Sequence, residues 1–173
     1  MKQNLVIYYS RRGQNYVNGD ILDLAIGNSE RCAQFIRDAV DADVFEIKPV
    51  HAYPTNYRSC TEKAQQELRA KARPELQAYL GDISQYKNIF VCGPCWWGTF
   101  PMPLFTQLER LALTHKKVFP LMTHEGSGLG HVERDLRNIC AGAQLGRGLA
   151  IHGADAEASE LIVARWAQKC VAV

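Results

Sequence analysis

Three short stretches of the 173-residue chain set hydroxyl, amide or aromatic side chains among glycines. The first comes in two pieces, Ser10-Arg11-Arg12-Gly13-Gln14-Asn15 and, further on, Gly27-Asn28-Ser29-Glu30. Hydroxyl and amide groups beside glycine at the head of a helix are what a phosphate requires, because free backbone N–H groups and the positive end of the helix dipole point at it. The same residues could instead do no more than cap their helix. The second stretch is Pro94-Cys95-Trp96-Trp97-Gly98-Thr99. Two adjacent tryptophans cannot both point into the core from an extended segment, so one faces the outer side of the loop, where a flat side chain can stack on a planar ligand. The alternative is that both lie beneath the loop as local core. The third is Thr123-His124-Glu125-Gly126-Ser127-Gly128, continued by Leu129-Gly130, where closely spaced glycines let the main chain pass near a ligand. His124 reads either as a polar loop residue or as a group that hydrogen-bonds or gates a ligand.

Two other chemistries are weighed and set aside. Cys92-Gly93-Pro94-Cys95 has the spacing of a redox dithiol, whose first thiol must be exposed at a helix N-terminus to act as nucleophile. Here Cys92 ends an apolar run, and Trp96-Trp97-Gly98 with Pro101 and Pro103 keeps a helix from starting at the motif. Histidines 51, 115, 124, 131 and 152 form no His-x-x-x-His pair, and the one Cys-x-x-Cys lacks a second matching pair, so no metal is expected.

The elements that must position these loops follow from periodicity. Apolar runs of strand length at 4–10, 42–47, 88–93, 117–123 and 143–152 alternate with helical patterns at 29–40, 59–72, 103–111, 129–139 and 155–171. In the first helix Cys32, Phe35, Ile36 and Val40 share one face. The alternation predicts an α/β fold, a three-layer, doubly wound sandwich around a five-stranded parallel sheet. Pro120 sits awkwardly in the fourth strand, where a central position would lose a ladder bond. Residues 14–28 are too long for an ordinary strand-to-helix loop, and Asn18-Gly19 between short apolar runs predicts a small hairpin there. In an open parallel sheet, ligands sit beyond the carboxyl ends of the strands, which brings the three stretches to one edge.

Composition bounds the rest. With 47% apolar and 22% charged residues the chain is expected to be one domain, 1–173, with 14–28 as an insertion, able to form a core without disulfides. A net charge of +2 argues against wrapping nucleic acid or a polybasic membrane patch, and no apolar run approaches the roughly 20 residues of a bilayer crossing. The opening apolar run is too short for a secretory signal. A cytoplasmic chain with its six cysteines as thiols is the expectation.

Tyr8-Tyr9-Ser10-x-x-Gly13, Pro94-x-Trp96-Trp97-Gly98-Thr99 with Pro101-Met102-Pro103, and Thr123-His124-x-Gly126-Ser127-Gly128-Leu129-Gly130 together resemble the flavodoxin-like FMN-binding family, in particular the short-chain flavodoxins with a Trp-Trp-Gly loop. The similarity runs over nearly the whole chain, Tyr53-Pro54 and Tyr57 included. It implies strand order 2-1-3-4-5 and FMN held non-covalently at the carboxyl edge. The phosphate would lie near Ser10, Arg12, Gly13, Gln14, Asn15, Asn28 and Ser29. The ring would lie between Pro94, Cys95, Trp96, Trp97, Gly98 and Thr99 on one side and Thr123, His124, Glu125, Gly126 and Gly128 on the other, with Trp97 or Trp96 against it.

The chain departs from the family pattern in three ways. Arg12 and Gln14 replace the usual threonine and first asparagine, so the phosphate site is assembled from two pieces of sequence. Glu125 stands where many relatives have glycine. The chain is also not acidic, so the last reduction step is expected to be easier than in an acidic flavodoxin. Simple electron transfer needs no catalytic acid, base or nucleophile. Two functions fit: an electron-transfer flavoprotein serving a redox partner protein, or an FMN-dependent NAD(P)H reductase of quinones or other small-molecule acceptors. A binding scaffold that has lost FMN is a third. The residues fit an enzyme and a carrier alike.

Overall fold

The structure is a computed structural model that describes residues 1–172. Its elements in order are β1 (Asn4–Tyr8), β2 (Gly13–Val17), β3 (Asp20–Leu24), α1 (Asn28–Val40), β4 (Asp43–Glu46), α2 (Tyr57–Arg69), β5 (Asn88–Pro94), α3 (Met102–Leu108), β6 (Lys117–His124), α4 (Val132–Ile139), β7 (Gln144–Leu145), β8 (Leu149–His152) and α5 (Glu160–Val171). The main sheet runs β4-β1-β5-β6, then β7 and β8 one after the other along the outer edge of β6, with every pairing parallel. In terms of the strands read from sequence this is the order 2-1-3-4-5.

Strict side-chain alternation divides the core between the two faces of the sheet. Leu5 and Ile7 of β1, Ile89 and Val91 of β5, and Val118 and Met122 of β6 join α2, α3 and α4. Val6 and Tyr8, Phe90 and Cys92, and Phe119 and Leu121 join α1 and α5. Phe90 is fully buried, with ring contacts to Phe119 at 5.3 Å and Trp166 at 5.5 Å. Truncating such a residue removes about 3–5 kcal/mol of stability.

The fifth strand differs from the expected continuous run over 143–152, and Pro120 supplies the reason. The Val118 carbonyl accepts from Gly146 N–H at 2.9 Å, so Pro120, two residues on, turns its missing N–H toward the same outer edge. Pairing resumes only at Leu121 with Leu149, leaving β7 and β8 separated by Gly146, Arg147 and Gly148. A Cβ at Gly148 would stand 3.1 Å from the Pro120 ring.

Helix starts and ends also shift. α2 begins at Tyr57 because the Asn56 carboxamide accepts from Ser59 N–H at 2.9 Å. α3 stops at Leu108 and β1 at Tyr8. α4 waits until Val132 because Gly126, Gly128 and Gly130 all hold positive φ, and α5 follows a short 3-10 turn at Gly153–Asp155.

The hairpin is present as β2 and β3, with Val17 opposite Asp20 and Tyr16 opposite Ile21. Its two turn residues, Asn18 at φ 51° and Gly19 at φ 96°, have the paired positive φ that matches the twist of the flanking strands. Among the described residues no helix is long and apolar enough to cross a membrane.

Candidate functional site

Beyond the carboxyl ends of β1, β5 and β6 lies a cleft of ≈ 310 Å³ bordered by the three loops, the hairpin and the first two turns of α2. At one end is the start of α1. Gly27 is its N-cap residue and supplies no side chain; Ser10, arriving from β1, does so instead, its Oγ accepting from Glu30 N–H at 3.0 Å. Asn28 and Ser29 therefore do not cap the helix, and both line the cleft. Their own N–H groups lie in the first turn, where no intrahelical acceptor exists. Ser29 Oγ shares a 2.8 Å hydrogen bond with Thr123 Oγ1, tying the first loop to the third. A Cβ on Gly27 would meet Ser10 Oγ at 2.1 Å and the Arg11 carbonyl oxygen at 2.6 Å, so only glycine lets α1 come this close.

Asn15 lines the cleft, its carboxamide N–H groups donating to the Arg11 carbonyl at 2.8 Å and to the Gly13 carbonyl at 3.1 Å. Arg12, Gly13 and Gln14 do not line it. Side chains alternate along this extended segment, and Arg12 points away to the carboxylates of Glu30 (2.9 Å) and Glu46 (3.2 Å). Gly13, at φ 80°, opens β2. Gln14 Oε1 accepts from Tyr57 N–H at 2.8 Å, serving the start of α2.

The two tryptophans divide. Trp96 turns inward, edge-on to Tyr9 at 5.2 Å and Tyr53 at 4.8 Å, while still lining the cleft. Trp97 is 50% exposed and donates its indole N–H to the Thr61 carbonyl on α2 at 2.9 Å. A tight turn causes the split: Trp96 and Thr99 pair across it, and Trp97 at φ 57° and Gly98 at φ 86° form its corner. A bulky residue in left-handed backbone is rare and costs about 1–3 kcal/mol, the kind of strain found at ligand sites. Pro94 and Cys95 line the cleft; Gly98 and Thr99 brace it from behind. Thr99 Oγ1 donates to Asp135 at 2.7 Å, and the Gly98 carbonyl accepts from His131 N–H at 2.6 Å.

On the third loop Thr123, His124 and Glu125 line the cleft, whereas Gly126 and Gly128 lie in the turn behind them. His124 Nδ1 accepts from Gly126 N–H at 2.9 Å, and its pKa is lowered, first by burial and then by the neighbouring His152. Glu125 Oε2 accepts from Asn18 N–H at the hairpin tip at 2.9 Å and lies 3.5 Å from His152 Nε2. Glu125 Oε1 is buried with no hydrogen-bond partner. An unmatched buried carboxylate oxygen is costly unless a donor arrives to meet it.

Seven lining residues lie outside the set expected from sequence: Arg11, Tyr16, Tyr57, Cys60, Thr61, Ala64 and Gly153. Most belong to the hairpin and to α2, and Tyr16 stacks on Tyr57 at 6.2 Å across that seam. The Asn56 cap was the available signal that Tyr57 heads a helix near the edge. Cys92 is fully buried, its Sγ against the Ser29 carbonyl at 3.3 Å, and burial pushes its pKa well up, so the thiol stays protonated. That is the opposite of a dithiol nucleophile. Among the described residues no group of three or more His, Cys, Asp or Glu could hold a metal.

A family model described as Flavodoxin matches residues 23–170. Among solved structures, one from Bacteroides uniformis ATCC 8492, described as a flavoprotein, is 26% identical over 96% of this chain and 98% of its own, with a TM-score of 0.74. One from Bacteroides eggerthii DSM 20697, also described as a flavoprotein, is 22% identical over 99% of each chain at 0.77. A flavoprotein from Lactobacillus acidophilus NCFM, crystallised in complex with FMN, is 18% identical over 92% of this chain and 98% of its own at 0.67. No curated protein matches.

Proposed function

The chain belongs to the flavodoxin family, and from that premise we propose that it binds FMN in the cleft and works as an electron-transfer flavoprotein. One observation carries the reading. The cleft pairs an open helix N-terminus at one end with an outward-turned tryptophan at the other, and an unsatisfied carboxylate oxygen also borders it. Those features ask for an anionic group, hydrogen-bond donors and a flat ring in one ligand. FMN has all three, as phosphate, ribityl hydroxyls and isoalloxazine.

The residues divide the ligand accordingly. Ser10, Asn28 and Ser29 would hold the phosphate with the first-turn N–H groups of α1, while Asn15, its carboxamide N–H groups taken by the Arg11 and Gly13 carbonyls, shapes the loop beside it. Glu125 Oε1 would take a hydrogen bond from a hydroxyl. Trp97 offers its exposed face to the ring, and Trp96, held by Tyr9 and Tyr53, supports the loop from beneath. When bound, FMN supplies the redox chemistry, and the protein contributes placement, exclusion of water and local charge.

A second reading, an NAD(P)H-dependent reductase of small acceptors, is favoured by one feature. The near balance of 20 basic and 18 acidic residues provides no acidic field for docking a redox protein. The two part on assay. The reduced protein is mixed anaerobically with a one-electron acceptor protein or with a quinone, with and without NADPH. A carrier discharges to the protein acceptor and does not oxidise NADPH catalytically. Steady NADPH oxidation that needs the quinone establishes the reductase instead.

A further inference from the structure

We propose that Arg11 is the charge that reads the phosphate and makes the cleft selective for FMN over riboflavin; this rests on the FMN reading above. Arg11 is 9% exposed and lines both the cleft, as Ser10, Asn28 and Ser29 do, and the groove on the far side of the hairpin. Its neighbour Arg12 pairs with Glu30 and Glu46, but no carboxylate among the described residues pairs with Arg11. Its partners are main-chain carbonyls: Nε donates to Gln14 O at 2.7 Å, and Nη2 to Pro54 O at 2.9 Å and Thr55 O at 2.8 Å.

A guanidinium has five N–H donors. Three are accounted for by those carbonyls, and the two on Nη1, which keeps some contact with solvent, meet no acceptor among the described residues. A buried cation held by neutral groups alone is poorly compensated, which is costly unless an anion completes the set. The three carbonyl bonds also fix the orientation of the fork. It is held before any ligand arrives, so little freedom is lost when Nη1 meets a phosphate oxygen. The first turn of α1 supplies partial positive charge from another side of the same space. A neutral alcohol in place of the phosphate, as in riboflavin, would leave the guanidinium as poorly matched as before.

The test compares FMN and riboflavin binding to the apoprotein, the Arg11→Gln variant and the Arg11→Lys variant. In parallel, thermal midpoints are measured in inorganic phosphate and in chloride of equal ionic strength. The expected result is that wild type prefers FMN by at least about 10-fold. R11Q, which also gives up the three carbonyl bonds, should weaken FMN at least about 10-fold more than riboflavin and so lose that preference, and R11K should recover part of it. Inorganic phosphate should raise the midpoint of wild type and not of R11Q. Equal weakening of both flavins in R11Q shows that Arg11 acts only by anchoring the hairpin, and overturns the proposal. An unchanged preference does the same, placing the free donors toward the groove on the far side of the hairpin, by Gly13, Leu22 and Asp23. If wild type takes up no flavin but phosphate still stabilises it through Arg11, the FMN reading fails and the anion site stands. If neither occurs, both are overturned.

Discussion

At the scale of single residues, the site depends on a few positions where a neighbouring backbone leaves no room. Gly27 has ordinary extended backbone, φ −67° and ψ 153°, so alanine is conformationally acceptable there. Its Cβ is not, with Ser10 Oγ at 2.1 Å and the Arg11 carbonyl at 2.6 Å. Gly27→Ala must push α1 away from the first loop, at about 1–3 kcal/mol of stability. It should also weaken FMN binding by more than 10-fold, because the Ser10 bond to Glu30 N–H and the open first turn move apart together. Urea unfolding and flavin titration of the variant check the two effects, and an unperturbed affinity would mean that the start of α1 takes no part in holding the ligand. The expected cofactor residues divide by what geometry lets each side chain reach. Arg11 and Arg12 are adjacent in sequence and opposite in direction, so residue types alone could not say which of the two enters the cleft. Arg12, once its carboxylates are counted, adds no net positive charge there, and of the two arginines it is Arg11 that would ease reduction relative to an acidic relative.

At the scale of elements, the parallel sheet, the flanking helices and the three loops at one edge were legible in the sequence, because a sheet buried on both faces writes itself as short apolar runs, whereas the strand order followed only from the family resemblance. The Asn18-Gly19 signal located the hairpin for the same local reason. Its position over the cleft was not legible, since that depends on contacts distant in sequence: Gln14 and Tyr16 with Tyr57, and Asn18 with Glu125, 107 residues away. Nor was the break between β7 and β8, which needed the pairing direction of Pro120. A two-stranded sheet is marginal on its own in water, and Tyr16, Ile21 and Leu22 are exposed by 42%, 49% and 44%. The hairpin should therefore be the least protected β-structure of the apoprotein. Hydrogen exchange over Gly13–Leu24 is expected to be orders of magnitude faster than over Asn88–Pro94, and to slow on adding FMN through contacts at Asn15 and Tyr16. Equal protection of the two segments without ligand would contradict the marginal status of the hairpin.

At the scale of the whole molecule, the parallel sheet and two helical layers hold the buried core, and the proposed function draws on what borders the cleft at one edge: the hairpin, the two pieces of the first loop and Glu125 on the third. Fold alone would not assign a cofactor. The assignment comes from a cleft whose unsatisfied groups and aromatic faces match one ligand. The measurement that bears on it most directly is titration of FMN into the flavin-free protein, following flavin fluorescence and absorbance together with the thermal midpoint. The account predicts saturation at one FMN per chain with sub-micromolar affinity, perturbed flavin bands as the ring meets Trp97, and a rise in midpoint of several degrees at FMN well above Kd. Unchanged flavin spectra and an unmoved midpoint, with a chain that unfolds cooperatively and is therefore folded, would contradict it.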